Sequence, residues 1–329
     1  MSCRPEKGNL RGRNHKFFYD IQSKALTGQL EYQPFSMPRL FASEKALVLV
    51  GSDRERIEAL QFDPLNHRIP FHLLKGTVAE RRSERAQASF GFNGVGPGSE
   101  QVIDVAARPF RTLHFGPVAQ FSLVKDESPT PDTPATAFKI IEQLGKRTKT
   151  YPFPRTTYDE FARLRPGQVR NGSRRKLTAF GDEIGPAQVF DGTLWFAKTF
   201  YDGEGLTGVG AFGYFEAQAK LYKIYSPPEV VDWSASSMLV EPEALWIGLT
   251  SRGEYGDRSG GVLRFDRKTG TCSRVALPDL IYEIARVGDT LVLATDFGAA
   301  LIRHGKARRF MVDQTRRGQL QVSEASGIR

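Results

Sequence analysis

Two cysteines, Cys3 and Cys272, are too few and too far apart in 329 residues for a disulfide framework. No stretch approaches the ~18–20 consecutive apolar residues of a membrane-spanning helix. The N-terminus, MSCRPEKGNLRGRNHK, is basic and has no apolar core behind it, so it does not read as a secretory signal. These absences set the expectation of a cytoplasmic chain. The five histidines (His15, His67, His72, His114, His304) form no HxH or HExxH grouping, so a histidine-rich metal site is not expected. There is no GxSxG elbow and no cysteine with a base nearby in sequence, which leaves nucleophilic catalysis without support.

What the chain does have is glycine (32), proline (19) and aromatics (11 %), with 40 % apolar and 25 % charged residues. That mix is ordinary for a globular protein and fits many short strands and turns better than a helical bundle. Cys272 lies in a strand-like stretch with no CxxC partner and reads as a spectator thiol.

The strands recur as a unit. Hairpin-like segments begin near 17 (FFYDIQSKALTGQLEYQPFSMP), 57 (IEALQFDPLNHRIPFHLL), 137 (AFKIIEQLGKRTKTYPFP), 211 (AFGYFEAQAKLYKIYSPP), 261 (GVLRFDRKTGTCSRVALP) and 299 (AALIRHGKARRFMV). In the best of them Lys268-Thr269-Gly270 marks the turn. An apolar strand precedes several: ALVLVG (46–51), TLWFAK (193–198), ALWIGL (244–249), TLVLAT (290–295) and, more weakly, RTLHFG (111–116). A continuous apolar run implies a strand covered on both faces, and Trp195 and Trp246 are then packing residues. Spacings of ~40–50 residues are those of four-stranded propeller blades.

The expected fold is an all-β propeller of about six four-stranded blades, with five to seven open. A flexible basic tail (1–16) precedes it, and two basic loop insertions interrupt it at about 75–99 and 155–186. Six hairpins leave the first without inner strands. Ring closure would draw these from the C-terminus, where GQLQVSE offers one strand.

DLIYEIARVGDTLVLATDFGAALIRH and ALWIGLTSRGEYGDRSGGVLRFDRKTG resemble the repeats of two-component-regulator-type β-propellers, best over 190–312. The resemblance implies a propeller. Such propellers usually form the extracytoplasmic sensing part of a membrane-bound kinase or regulator. No span, kinase or DNA-binding module accompanies these repeats, so the sensor role does not transfer. Propeller lyases and lactonases are looser relatives.

In a propeller, ligand sites form where variable loops converge on the rim of the channel. The long loops TFYDGEGLTGVG and TSRGEYGDRSG place Tyr201, Asp202, Glu204, Arg252, Glu254, Tyr255, Asp257 and Arg258 there. Asp53, Arg54 and Asp296 hold the corresponding loop positions of other repeats. Rim carboxylates can act as an acid–base pair or hold a divalent cation, but no spacing demands either. No metal ligand set and no cofactor is therefore assigned.

Gly208-Val209-Gly210-Ala211-Phe212-Gly213 spells GxGxxG, yet it runs into a hairpin pattern rather than the helix a dinucleotide site needs. Thr157-Tyr158-Asp159-Glu160 reads as a capping box opening a short helix to about Leu164. Arg163, Arg165, Arg170, Arg174, Arg175 and Lys176 follow without interleaved aromatics, a weak polyanion signal. The net charge of +9 belongs to the tail and these two segments, while the repeats are close to neutral. The leading expectation is a non-catalytic binding or interaction propeller taking a small molecule or protein at the rim. A lyase- or hydrolase-type enzyme and a polyanion-binding protein, nucleic acid included, stand as alternatives.

Overall fold

The structure, a computed structural model, describes residues 14–20, 25–31, 39–42, 47–52, 57–73, 78–82, 88–93, 100–103, 113–125, 138–154, 163, 181–201, 208, 210–253, 256–314 and 320–325. Its strands are all antiparallel to their neighbours and group into six successive sheets plus one separate hairpin. The separate hairpin is β1 (Asn14–Asp20) with β2 (Ala25–Glu31). The first sheet holds β3 (Arg39–Ala42), β4 (Leu47–Ser52), β5 (Ile57–Phe62) and β6 (Phe71–Leu73). The second holds β7 (Val78–Arg82), β8 (Ala88–Asn93) and β9 (Glu100–Ile103). The third holds β10 (Leu113–Phe115), β11 (Phe121–Lys125), β12 (Phe138–Leu144) and β13 (Arg147–Pro152). The fourth holds β14 (Gly181–Phe190), β15 (Thr193–Tyr201), β16 (Phe212–Glu216) and β17 (Leu221–Tyr225). A one-turn helix, α1 (Pro228–Val231), leads to the fifth sheet: β18 (Ser234–Val240), β19 (Ala244–Gly253), β20 (Gly256–Asp266) and β21 (Cys272–Val275). The sixth holds β22 (Ile281–Val287), β23 (Thr290–Thr295), β24 (Gly298–Arg303), β25 (Lys306–Gln314) and β26 (Leu320–Glu324).

All six hairpins foreseen from the sequence are present. Four expectations change. The loop insertion expected at about 75–99 instead contributes strands to a three-stranded second sheet, and Glu80, Arg81, Arg82 and Glu100 ride on its strands. The insertion before the fourth sheet ends earlier than expected, because β14 already starts at Gly181. The C-terminal strand does not complete the first hairpin. It pairs with β25 as a fifth, outer strand of the sixth sheet. RTLHFG supplies the first strand of its sheet, and the apolar strand next to the hairpin is Phe121–Lys125.

The apolar strands show why their runs are unbroken. In β15, Leu194 and Phe196 pack with Phe115, Phe121, Leu123 and Ile140 of the third sheet. Trp195 and Ala197 face the other way, onto Leu245, Ile247 and Leu249 of the fifth. In β23, Leu291 and Leu293 join a cluster with Val262 of the fifth sheet, while Val292 and Ala294 face Leu60, Phe62 and Phe71 of the first. Alternation with both faces apolar is the strand version of a doubly covered layer. Phe71 and Phe310 meet with ring centroids 5.3 Å apart, so the sixth sheet packs on the first. The opening strands follow the same order: β10 lies against β14, β14 against β18, β18 against β22, and β22 against β3. Trp195 is buried and Trp246 is half-buried against the sixth sheet, both in packing roles as expected.

Each opening strand from the fourth to the sixth sheet carries a bulge. The register shifts fall between Ile184 and Ala187, Ala235 and Ser237, and Ile281 and Glu283. All lie opposite the small residue of the apolar strand, Ala197, Gly248 or Ala294. Gly248 has no room for a side chain, since a Cβ there would sit 2.3 Å from Ser237 Oγ. A bulge adds twist and redirects a side chain, and here the displaced residue includes Tyr282.

Candidate functional site

In a four-stranded meander, the turns between strands one and two and between three and four share one end, called here the hairpin end. The turn between strands two and three and the exit to the next sheet share the other, the loop end. Among the described residues, the buried polar side chains apart from Glu142 are Lys198, Thr199, Ser234, Ser237, Thr250, Ser251, Asp279, Thr295 and Asp296. All nine belong to the loop-end half of the first two strands, or to the segments entering or leaving them at that end, in sheets four to six. The apolar middle of each strand thus gives way to polar residues toward one end only.

Between the fifth and sixth sheets these groups form a connected set. The Arg309 guanidinium donates to both carboxylate oxygens of buried Asp279. The Leu280 N–H donates to Asp296 Oδ1 at 3.0 Å. Burial, then the neighbouring Asp279 charge, push the Asp296 carboxyl up to about 7. Tyr282, redirected by its bulge, is raised above the usual phenol range by burial. The Arg252 guanidinium sits 5.3 Å from the Tyr282 ring centroid and pairs loosely with Asp257 at 3.9 Å. Its Nε is buried without a hydrogen-bond partner, and an unpaired buried donor of this kind costs free energy unless something else satisfies it.

The strand register separates two residues expected together. Arg252 pairs with Asp257 and Ser251 with Arg258, so Arg252 and Arg258 lie on opposite faces of the β19–β20 ribbon. Arg252 faces the sixth sheet. Arg258 stands over Trp233, with Arg274 also on that indole, at 5.8 and 5.9 Å from the ring centroid. Tyr201 ends β15. Asp202, Glu204, Glu254, Tyr255, Asp53 and Arg54 lie outside the described residues, as do Arg165, Arg170, Arg174, Arg175 and Lys176. Arg163 is helical and exposed, and the rest of its capping-box segment lies outside the described residues.

Among the described residues no three His, Cys, Asp or Glu side chains gather to hold a metal ion. The glycine motif runs into β16 and not into a helix, so the dinucleotide pattern is absent structurally. Its glycines serve close packing, because a Cβ on Gly210 would fall 2.0 Å from the Trp233 carbonyl oxygen. Cys272 is half-buried, and burial pushes its thiol up to about 11, which makes it a poor nucleophile. Asp279, Arg309, Tyr282, Trp233 and Arg274 were not singled out from the sequence. Asp279 and Arg309 are 30 residues apart and meet only through the fold.

The sequence matches no protein-family model and no curated protein. Structural similarity is broad and shallow. One match is an extracellular domain assigned to a hybrid two-component system of B. thetaiotaomicron, with 9 % identity and TM-score 0.38, covering 92 % of this chain and 35 % of that one. Others are BamB from Moraxella catarrhalis (12 %, TM-score 0.28, 87 % of both chains) and a Trypanosoma rangeli sialidase (11 %, TM-score 0.28, 94 % of this chain and 59 % of that one). The chain spans about a third of the length of the B. thetaiotaomicron extracellular domains it matches. At these scores none of them assigns an activity. No helix among the described residues is long and apolar enough to cross a membrane.

Proposed function

We propose that the six sheets close into a six-bladed β-propeller that binds a ligand at its loop end, as a binding module. Support for the ring comes from the packing order, third on fourth, fourth on fifth, fifth on sixth and sixth on first, with the second sheet between first and third in sequence. Support for the site comes from the one-sided placement of buried polar groups around Arg252, Tyr282 and Asp296. Burying such groups costs stability, and a ligand that satisfies them offsets the cost.

The test is a thermal-shift panel of charged and neutral metabolites against three proteins: wild type, Arg252→Ala, and Arg303→Ala. Arg303 lies at the hairpin end. Stabilising compounds should lose their effect with Arg252→Ala and keep it with Arg303→Ala. Compounds that stabilise all three alike would contradict the assignment. One observation favours a second, catalytic reading: the Asp296 carboxyl, pushed up to about 7, exchanges its proton near neutrality beside the ion-paired Asp279, a division suited to proton transfer. That reading requires a turnover whose rate is lost in Asp296→Asn.

A further inference from the structure

We infer that the face of the fifth sheet toward the fourth carries a receptor for a tetrahedral oxyanion, a phosphate or sulfate group, held by Arg258 and Arg274 over Trp233. The inference rests on the loop end being the binding end and gives it a ligand chemistry. Three observations carry it. First, the indole is fixed from behind: a Cβ on Gly260 would lie 2.6 Å from Trp233 Cδ2 and 2.8 Å from Cε3. Cδ2 is a ring-fusion atom, and its being the nearer one places the glycine over the ring face. Both arginines are left to share the opposite face and the rim.

Second, both guanidiniums are exposed, and each lies within cation–π distance of that single ring. Among the described residues neither has a carboxylate partner. Elsewhere in the fold Arg264, Arg286, Arg303, Arg308 and Arg309 all have one. Two like charges converging on one aromatic surface repel unless an anion lies between them, and guanidinium forks match phosphate and sulfate oxygens. Third, the connection from β13 to β14, which joins two strand ends at the loop end, is basic in sequence. The segment 155–178, rooted between Pro152 of β13 and Gly181 of β14, carries seven Lys/Arg against two Asp/Glu. Charge of one sign around a site raises the local concentration of the opposite ion.

The experiment is calorimetric titration of the full chain at low salt with inorganic phosphate, sulfate, phenyl phosphate and phenyl sulfate, and chloride as control. Trp233 fluorescence is read in parallel. The inorganic ions and the esters separate a free-ion site from one that takes a substituted headgroup. Phosphate or sulfate should bind, and Arg258→Ala and Arg274→Ala should each weaken binding about tenfold or more, the loss of one charge-assisted contact. Arg264→Ala, whose guanidinium lies over Trp246 at the hairpin end, should leave binding unchanged. Circular dichroism verifies that the variants fold. Absence of oxyanion binding, or binding indifferent to both arginines, would overturn the inference. If a panel ligand then depends on Arg252 but not on Arg258 or Arg274, the loop-end reading survives and the oxyanion receptor does not.

Discussion

The two ends of the sheets are built from the same residue types and use them in opposite ways. At the hairpin end, the polar groups that bridge neighbouring sheets are hydrogen-bonded, and Trp195 Nε1 is the one buried donor there, among the described residues, without a hydrogen-bond partner. Glu142 accepts from Tyr151 within the third sheet and from Lys220 of the fourth, both at 2.7 Å. Gln188 Oε1 accepts the Val240 N–H between the fourth and fifth. Arg286 grips Glu241 between the fifth and sixth, and Glu241 also takes the Trp246 N–H. Arg308 donates to the carbonyls of His67 and Arg68 between the sixth and first. The described interfaces are thus each bridged at that end. At the loop end, Arg252 Nε and Thr295 Oγ1 are buried without a hydrogen-bond partner, Arg252 Nε having only its loose ion pair with Asp257, and Asp296 is held in an environment that resists its ionisation. One end fastens the sheets; the other carries groups that weaken the isolated protein. That division is expected when one end of a rigid fold is given over to a ligand.

The fastening has to run from the sixth sheet back to the first, and Phe310 carries that step. Phe310→Ala, which empties the contact with Phe71, should cost about 3–5 kcal/mol in urea denaturation. A loss below about 1 kcal/mol would mean that the last sheet does not rest on the first. A hairpin-end bridge should cost less. Glu241→Gln breaks a partly exposed ion pair and should lower stability by about 1 kcal/mol, with binding at the loop end unchanged. Smallest is Arg303→Ala, where both partners are half exposed to solvent and the denaturation midpoint should not move measurably.

The strands that pack on both sides were legible because periodicity and a repeated turn encode them locally. The Asp266 carboxylate, for example, accepts the N–H groups of Lys268 and Thr269 in the turn that Lys268-Thr269-Gly270 announced. The second sheet was not legible. VAERR and EQVI carry charges on short strands, and the glycines of GFNGVGPG break the alternation. The C-terminal strand was legible as a strand but not in its partner, since pairing on β25 or on another edge leaves the same local pattern. Of the expected rim residues, Arg252, Arg258 and Asp296 lie at the loop end, but TSRGEYGDRSG, expected as a long loop, is largely strand, since β19 runs to Gly253 and β20 starts at Gly256. Alternation could not say that a bulge redirects Tyr282, or that Arg252 and Arg258 look away from each other.

The sign of the Asp296 contribution tests the division most directly. A carboxyl whose folded pKa is about 7, against 3.8 as its ordinary value, binds more protons folded than unfolded between those pH values. Its contribution to stability therefore falls as pH rises through that window and levels off above it. Measured by urea denaturation from pH 4 to 8, Asp296→Asn should match wild type near pH 4. It should become progressively more stable than wild type toward pH 8, by about 4 kcal/mol. Glu241→Gln should be the less stable protein at pH 8. A variant Asp296→Asn that is destabilised at pH 8, with no growing advantage as pH rises, would contradict the claim that the loop end sacrifices stability.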